Sequence, residues 1–162
     1  MSLLKIAHVP PATVEPSASI LEAVQLMAEE GVGAVAVVDG GQLRGIFTER
    51  DVMLRGVLRE RKSVETKVGE VMTTSVETTI DDTPYEEALN FMLERHIRHL
   101  PIVSSDGQLK GMLSIRNLLE HMVQDLQREL QYADAHADAH THQHPDPDTN
   151  TYADQYADTY AN

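Results

Sequence analysis

The sequence predicts a mixed fold of the α/β type (α+β), made of two copies of one strand, helix, strand, strand, helix unit. Three observations carry that prediction. With an offset of 65, then 66 after a one-residue insertion in a turn, Thr13, Glu22, Ala23, Met27, Glu29, Val38, Gly41, Gln42, Leu43, Gly45 and Arg50 all recur as identical residues. Self-similarity at a fixed spacing marks a repeated structural unit. Each copy also holds a stretch of helical periodicity followed by a short continuous apolar run and a glycine turn, the pattern of a helix leading into a buried hairpin. Finally, Gly45-Ile46-Phe47-Thr48-Glu49-Arg50-Asp51 returns as Gly111-Met112-Leu113-Ser114-Ile115-Arg116-Asn117, a glycine-led strand running into a helix cap.

Taken in order, residues 1–12 form a leader in which Pro10 and Pro11 exclude a helix. Thr13 and Val14 begin an extended stretch. Ser19 with Glu22 three residues on has capping-box spacing, and Ile20, Ala23, Val24 and Met27 follow at helical intervals up to Gly31. Val35 to Val38 reads as a buried strand, Asp39-Gly40-Gly41 as a turn, and Leu43 to Phe47 as the hairpin partner. A helix carrying Val52, Met53 and Val57 opens at Thr48 or Glu49. Arg59 to Gly69 is a polar linker. The second copy repeats the scheme: an opening strand at Thr78, a cap at Thr83 with Glu86, Pro84 at the first helical position, and a buried face of Ala88, Leu89, Met92 and Leu93. Leu100 to Val103 and Leu109 to Leu113 supply the hairpin. The last helix carries Leu118, Leu119, Met122, Val123, Leu126 and Leu130 on one face, a stripe suited to packing on its own domain or to a dimer contact. The resulting division is 1–59, a first repeat with its leader; 60–70, a linker; 71–131, a second repeat with an extended helix; and 132–162, a low-complexity tail of Ala, Asp, His and Tyr.

Composition narrows the function. A hydrophobic content of 41% in 162 residues can bury a real core. The absence of cysteine excludes disulfides, thiolate metal sites and a cysteine nucleophile. The net charge is −13, of which six negative charges fall on the tail and leave −7 for the rest, a balance that argues against long nucleic acid. The apolar runs are too short for a membrane span and the first residues lack a signal-peptide pattern, so a cytoplasmic location is expected. Gly31-Val32-Gly33-Ala34-Val35-Ala36 matches a dinucleotide-loop spacing, but it follows a helix and opens a strand, the reverse of what that loop requires. No spacing assembles a nucleophile with a base, and no catalytic residue is assigned. In the tail, His136, His140, His142 and His144 form a weak candidate for zinc, nickel or copper, set against a disordered acidic segment.

The duplicated segment suits a small phosphorylated ligand. Glycine at Gly45 and Gly111 permits close approach to the backbone. Thr48 and Ser114 open helices where a hydroxyl and free N–H groups meet a phosphate. Asp51 lies one turn on, where a carboxylate can accept hydrogen bonds from ribose hydroxyls, and Arg50 and Arg116 add positive charge.

The ILEAVQLM and YEEALNFM helices, the HIRHLPIV strand, the DGQLKGMLS hairpin, the linker ending in VGEVMT and the two G-x-x-[TS]-x-x-[DN] segments resemble a tandem pair of cystathionine-beta-synthase (CBS) domains over roughly Leu4 to Met122. The resemblance implies two repeats packed sheet against sheet as one pseudo-twofold module, with a cleft for an adenine nucleotide or adenosyl ligand (AMP, ADP, ATP, NAD or S-adenosylmethionine) near each repeat. It implies a disc-like homodimer and a regulatory, non-enzymatic role exerted on an unidentified partner protein. By the same resemblance, Arg98 and His99 reach phosphates and Thr13 and Thr78 line the base pocket. Asn117 lacks the carboxylate of Asp51, so the first-repeat motif is expected to be the stronger ribose site. The neutral Gly33 and Ala34, and Ala36 in place of a usual proline, suggest that phosphate charge is met mainly from the second repeat.

Overall fold

The structure, a computed structural model, describes residues 2–137. The element order is β1 (Thr13–Val14), α1 (Ile20–Glu30), β2 (Ala34–Asp39), β3 (Gln42–Thr48), α2 (Glu49–Asp51), α3 (Val68–Val71), α4 (Tyr85–Glu94), β4 (His99–Val103), β5 (Leu109–Ser114) and α5 (Ile115–Ala137). The chain divides into two compact units, residues 1–122 and 123–162. The first unit contains the first repeat and the second as far as the opening turns of α5. The described part of the second is the later stretch of α5, where Val123, Leu126 and Leu130 are exposed.

In the first repeat α1 starts on the Ser19 capping box: Ser19 Oγ accepts the Glu22 N–H at 3.2 Å and Glu22 Oε2 accepts the Ser19 N–H at 2.6 Å. That hydrogen bonding holds the Glu22 carboxyl below its ordinary pKa, through the backbone bond first. The helix ends at Gly31, which adopts the left-handed conformation at φ 65°. Ile20, Ala23 and Met27 face inward, onto a sheet in which β2 lies between a parallel β1 and an antiparallel β3. A central strand is covered on both faces, which is why Ala34 to Val37 is a continuous buried run.

The second repeat departs from the sequence expectation at two places. No opening strand forms at Thr78; only Thr79 pairs, through its N–H to the Pro101 carbonyl and its carbonyl to the Val103 N–H, and β4–β5 is a two-stranded sheet. The cause lies in β4. Ala36 donates its N–H to Ala12 in the first repeat, whereas its counterpart Pro101 has no N–H to give. Thr83 does not cap α4 either. Its hydroxyl is the acceptor of a 2.9 Å bond from the Thr79 hydroxyl, and Pro84 takes the cap position without a side-chain cap. After α2 the first repeat differs from a regular helix too, passing into a π turn (Val52–Gly56) and a 3-10 turn (Val57–Arg59). The wider turn shifts the phase of the apolar stripe, leaving Met53 and Val57 exposed and Val52 half-buried.

The cores are completed by exchange. Leu3, in a 3-10 turn at Leu3–Lys5, is fully buried against Ala88, Met92, Leu100 and Leu113 of the second repeat. Ser2 donates to the Asp81 carboxylate, which also accepts the Leu4 N–H at 2.9 Å, and His8 exchanges two backbone bonds with Met112. Reciprocally, Val68 and Val71 of α3 are buried against Ile20, Val35 and Phe47 of the first repeat, and Thr73 exchanges two backbone bonds with Ile46. The leader and the end of the linker, polar or unassigned in sequence, therefore each close the core of the repeat they do not precede. A third apolar cluster, Ala34, Ala36, Ile46 and Met112, joins the two sheets.

Candidate ligand cleft

An open cleft of about 1070 Å³ lies on the first unit. One wall comes from the first repeat: the end of α1, the Gly31 to Ala34 entry to β2, and Glu49 on α2. The other comes from the second repeat: Arg98 and His99 at the start of β4, then Ser114, Arg116 and Asn117 where β5 meets α5. Both walls are fixed by the same local bond. The Glu49 N–H donates to the Gly33 carbonyl at 3.1 Å, and the Ile115 N–H donates to the Arg98 carbonyl at 3.0 Å. Each repeat thus ties its helix start to the entry of its own central strand.

Ser114 and Asn117 form a reciprocal cap. Asn117 Oδ1 accepts the Ser114 N–H at 3.0 Å and the Ser114 hydroxyl at 2.6 Å, while the Asn117 N–H donates to Ser114 Oγ at 3.1 Å. Thr48 and Asp51 do the same in the first repeat, with 3.0 Å bonds from the Thr48 N–H and hydroxyl to Asp51 Oδ2. The second Asp51 oxygen lies 3.5 Å from Arg55 Nε. Aspartate and asparagine are therefore equivalent as caps here. They differ in what is left over: Asn117 keeps an amide N–H₂ donor at the cleft, whereas the spare oxygen of Asp51 faces Arg55.

Of the residues singled out in sequence, Arg98, His99, Ser114, Arg116 and Asn117 come together on this cleft, and Thr13, Gly45, Thr48, Arg50, Asp51, Thr78 and Gly111 are not part of its lining. The two motif glycines have another cause. A Cβ on Gly45 would meet Met72 Sδ at 2.5 Å and the Thr73 carbonyl at 2.9 Å; one on Gly111 would meet Leu4 Cδ2 at 2.8 Å. What approaches these glycines is the exchanged segment of the chain itself. Gly33, by contrast, does border the cleft, and a Cβ there would lie 3.2 Å from Glu49 Oε2 and 3.4 Å from His99 Cε1. Its small size, and that of Ala34, opens the space that Arg98 and His99 occupy at the corresponding positions of the second repeat.

Sequence reasoning did not single out Glu30, Glu49, Glu120 or His8, all of which line the cleft. No short-range pattern connects them, since they come from four different elements. His8 Nε2 lies 3.4 Å from Glu30. Burial pushes the His99 imidazole below its ordinary pKa, with Glu49 opposing and Arg98 reinforcing the shift, so the ring is neutral at neutral pH. The walls then carry three carboxylates against two guanidiniums. Among the described residues there is no group of three or more side chains able to hold a metal, and no helix is long and apolar enough to cross a membrane. His136, His140, His142 and His144 lie outside the residues whose side chains are described.

A duplicated α/β unit, its two sheets joined by an apolar cluster beside an open cleft, defines a tandem-repeat module. The sequence profile described as "CBS domain" matches residues 5–57 and 68–124, and the chain belongs to the CBS domain family. An uncharacterized 17.7 kDa protein of Acidianus ambivalens is 38% identical over 106 residues, which span 65% of this chain and 63% of that relative. A CBS-domain protein from Burkholderia ambifaria superposes with a TM-score of 0.70 at 36% identity, covering 77% of this chain and 96% of the other. A CBS domain protein from Pyrobaculum aerophilum, complexed with AMP, superposes with a TM-score of 0.65 at 25% identity, covering 72% and 89%.

Proposed function

We propose that the chain is a non-enzymatic regulatory module that binds an adenine nucleotide or adenosyl ligand in this cleft and, through it, modulates a partner protein in the cytoplasm. The observation that carries the proposal is the meeting of Arg98, Arg116 and the Ser114–Asn117 cap across from the open Gly33–Ala34 wall, in a family with an AMP-bound relative. The two guanidiniums suit one phosphate group. In this reading the Asn117 amide and Ser114, both on the cleft lining, meet the ribose hydroxyls. Glu30, Glu49 and Glu120 oppose added negative charge, so AMP ranks above ADP and ATP, and S-adenosylmethionine, with its cationic sulfonium, is favoured by the same carboxylates. A ligand shifts the arrangement of the module only by its differential affinity for two states.

The experiment is a thermal-shift and calorimetry panel of AMP, ADP, ATP, NAD and S-adenosylmethionine. Saturable binding of AMP or S-adenosylmethionine in preference to ATP supports the proposal. Silence across the panel favours a second reading, a dimerisation scaffold with a vestigial cleft. That reading draws on the first repeat's exposed Leu54, Val57 and Leu58, of which Val57 is 71% and Leu58 68% exposed, and none of which lines the cleft. A homodimer through that surface is compatible with either reading.

A further inference from the structure

A second concavity, about 650 Å³, is lined by Arg55, Arg59, Arg61, Glu70 and Val71, none of which lines the cleft described above. Three arginines lining one concavity with a single lining carboxylate, Glu70, and Asp51 beside Arg55 are unexpected on a chain whose net charge is −13. The backbone that gathers them is irregular. Arg55 lies in the π turn and Arg59 in the 3-10 turn, and between Arg59 and Arg61 the non-glycine Glu60 is held left-handed at φ 52°. The Glu60 N–H bonds to the Val57 carbonyl at 3.0 Å and the Arg61 N–H to the Gly56 carbonyl at 3.1 Å, locking the reversal. Left-handed backbone at a residue other than glycine is costly, and persists where the surroundings over-determine it.

Two of the guanidiniums are already oriented. Arg55 Nη1 donates to the Val71 carbonyl at 2.8 Å with its Nε 3.5 Å from Asp51, and Arg61 Nη1 lies 3.3 Å from Glu70 Oε2. Fixing them beforehand lowers the entropy lost when an anion is bound, and guanidinium forks match phosphate oxygens.

We propose that this concavity is a binding site for a multiply charged phosphate anion of pyrophosphate type, separate from the adenosyl cleft. The anion bridges Arg55 and Arg59, from the end of the first repeat, to Arg61 at the start of the linker, and displaces Glu70 from Arg61. Because Glu70 also accepts the Lys67 N–H at 3.1 Å at the start of α3, the site couples the anion to the segment whose Val68 and Val71 close the first core. The same chemistry is offered by free pyrophosphate and by the phosphate tail of a nucleotide.

The test is calorimetric titration of sodium pyrophosphate, and separately of ATP, into the full chain at low ionic strength. Four proteins are compared: wild type, Arg59→Gln, Glu70→Gln and Arg116→Gln. One pyrophosphate binds the wild type. Arg59→Gln weakens it about tenfold, the scale of losing one charge-assisted hydrogen bond. Glu70→Gln, which keeps an acceptor for the α3 cap while removing the competing charge, tightens it. Arg116→Gln leaves it unchanged. If ATP shows the same dependence on Arg59, the nucleotide tail is the source; if only pyrophosphate does, the free anion is. Absence of binding, binding indifferent to Arg59 (an adventitious ion only), or binding that Arg116→Gln abolishes overturns the proposal.

Discussion

The two repeats end their long helix at corresponding positions in the same left-handed conformation, yet one uses Gly31 at φ 65° and the other His96 at φ 54°. The first repeat is thus the better-formed copy by several local criteria. It has a true N-cap at Ser19, a three-stranded sheet and a glycine where the backbone requires one; the second has Pro84, a two-stranded sheet and a histidine. What the second repeat holds instead is chemistry. Arg98 and His99 stand where the first has Gly33 and Ala34, and α5 begins at the cleft. Duplication supplied one scaffold twice, and divergence let one copy open a wall while the other furnished the guanidiniums and the Ser114–Asn117 cap.

The comparison can be broken most forcefully at the exchange of core segments. Leu3→Ala should destabilise the protein by about 2–5 kcal/mol, as for a fully buried leucine, because it empties the second-repeat core from outside that repeat. Val68→Ala should cost about half as much, the smaller side chain leaving a smaller cavity. Chemical denaturation measures both, and an effect of Leu3→Ala within about 0.5 kcal/mol of zero, the range of surface substitutions, would show the leader to be an appendage.

Next come the motif glycines. Gly45→Ala collides with the Thr73 carbonyl as well as Met72, whereas Gly111→Ala meets chiefly the ends of the Leu4 and Val9 side chains, which can move. Gly45→Ala should therefore cost about 1–3 kcal/mol, the range for overpacking, and Gly111→Ala less. Equal costs would mean that the two crossings are equally rigid.

The helix starts sharpen the comparison further. Ser19→Ala should lose about 1 kcal/mol, and Thr83→Ala markedly less, since Thr83 bonds to Thr79 and caps nothing. Smallest of all are the helix ends. His96→Gly should gain a few tenths to about 1 kcal/mol by relieving left-handed backbone, and Gly31→Ala should lose about the same, as no side-chain collision awaits a Cβ there. Thermal melts of the single variants decide both.

These pairs also show what the sequence could and could not reveal. Ser19, Gly31, both hairpins and the duplication were legible because their signals are local: a cap, a turn and a repeated spacing. Thr83 has capping-box spacing yet caps nothing, because spacing does not show that the hydroxyl is engaged elsewhere. The lost strand at Thr78 was foreshadowed by Pro101, a residue without an N–H in the partner strand. The roles of Leu3, Val68, Gly45 and Gly111 depend on segments crossing from about 20 to about 110 residues apart, contacts that no local periodicity encodes. The same is true of Glu30, Glu49 and Glu120, which reach one cleft from separate elements.

The motif pair itself offers the decisive comparison. Asp51 and Asn117 make matching caps, with Asp51 adding a contact to Arg55, so truncating Asp51 should cost at least as much stability, and a larger loss of ligand affinity at Asn117 reports the site. The measurement is calorimetric titration of AMP into the wild type, Asn117→Ala and Asp51→Ala. Asn117→Ala should weaken AMP about tenfold, as for the loss of one or two hydrogen bonds to the ligand, with Asp51→Ala within about twofold of wild type. The reverse order, with Asp51 the residue that matters, would contradict the assignment of the ligand to the cleft built on the second repeat.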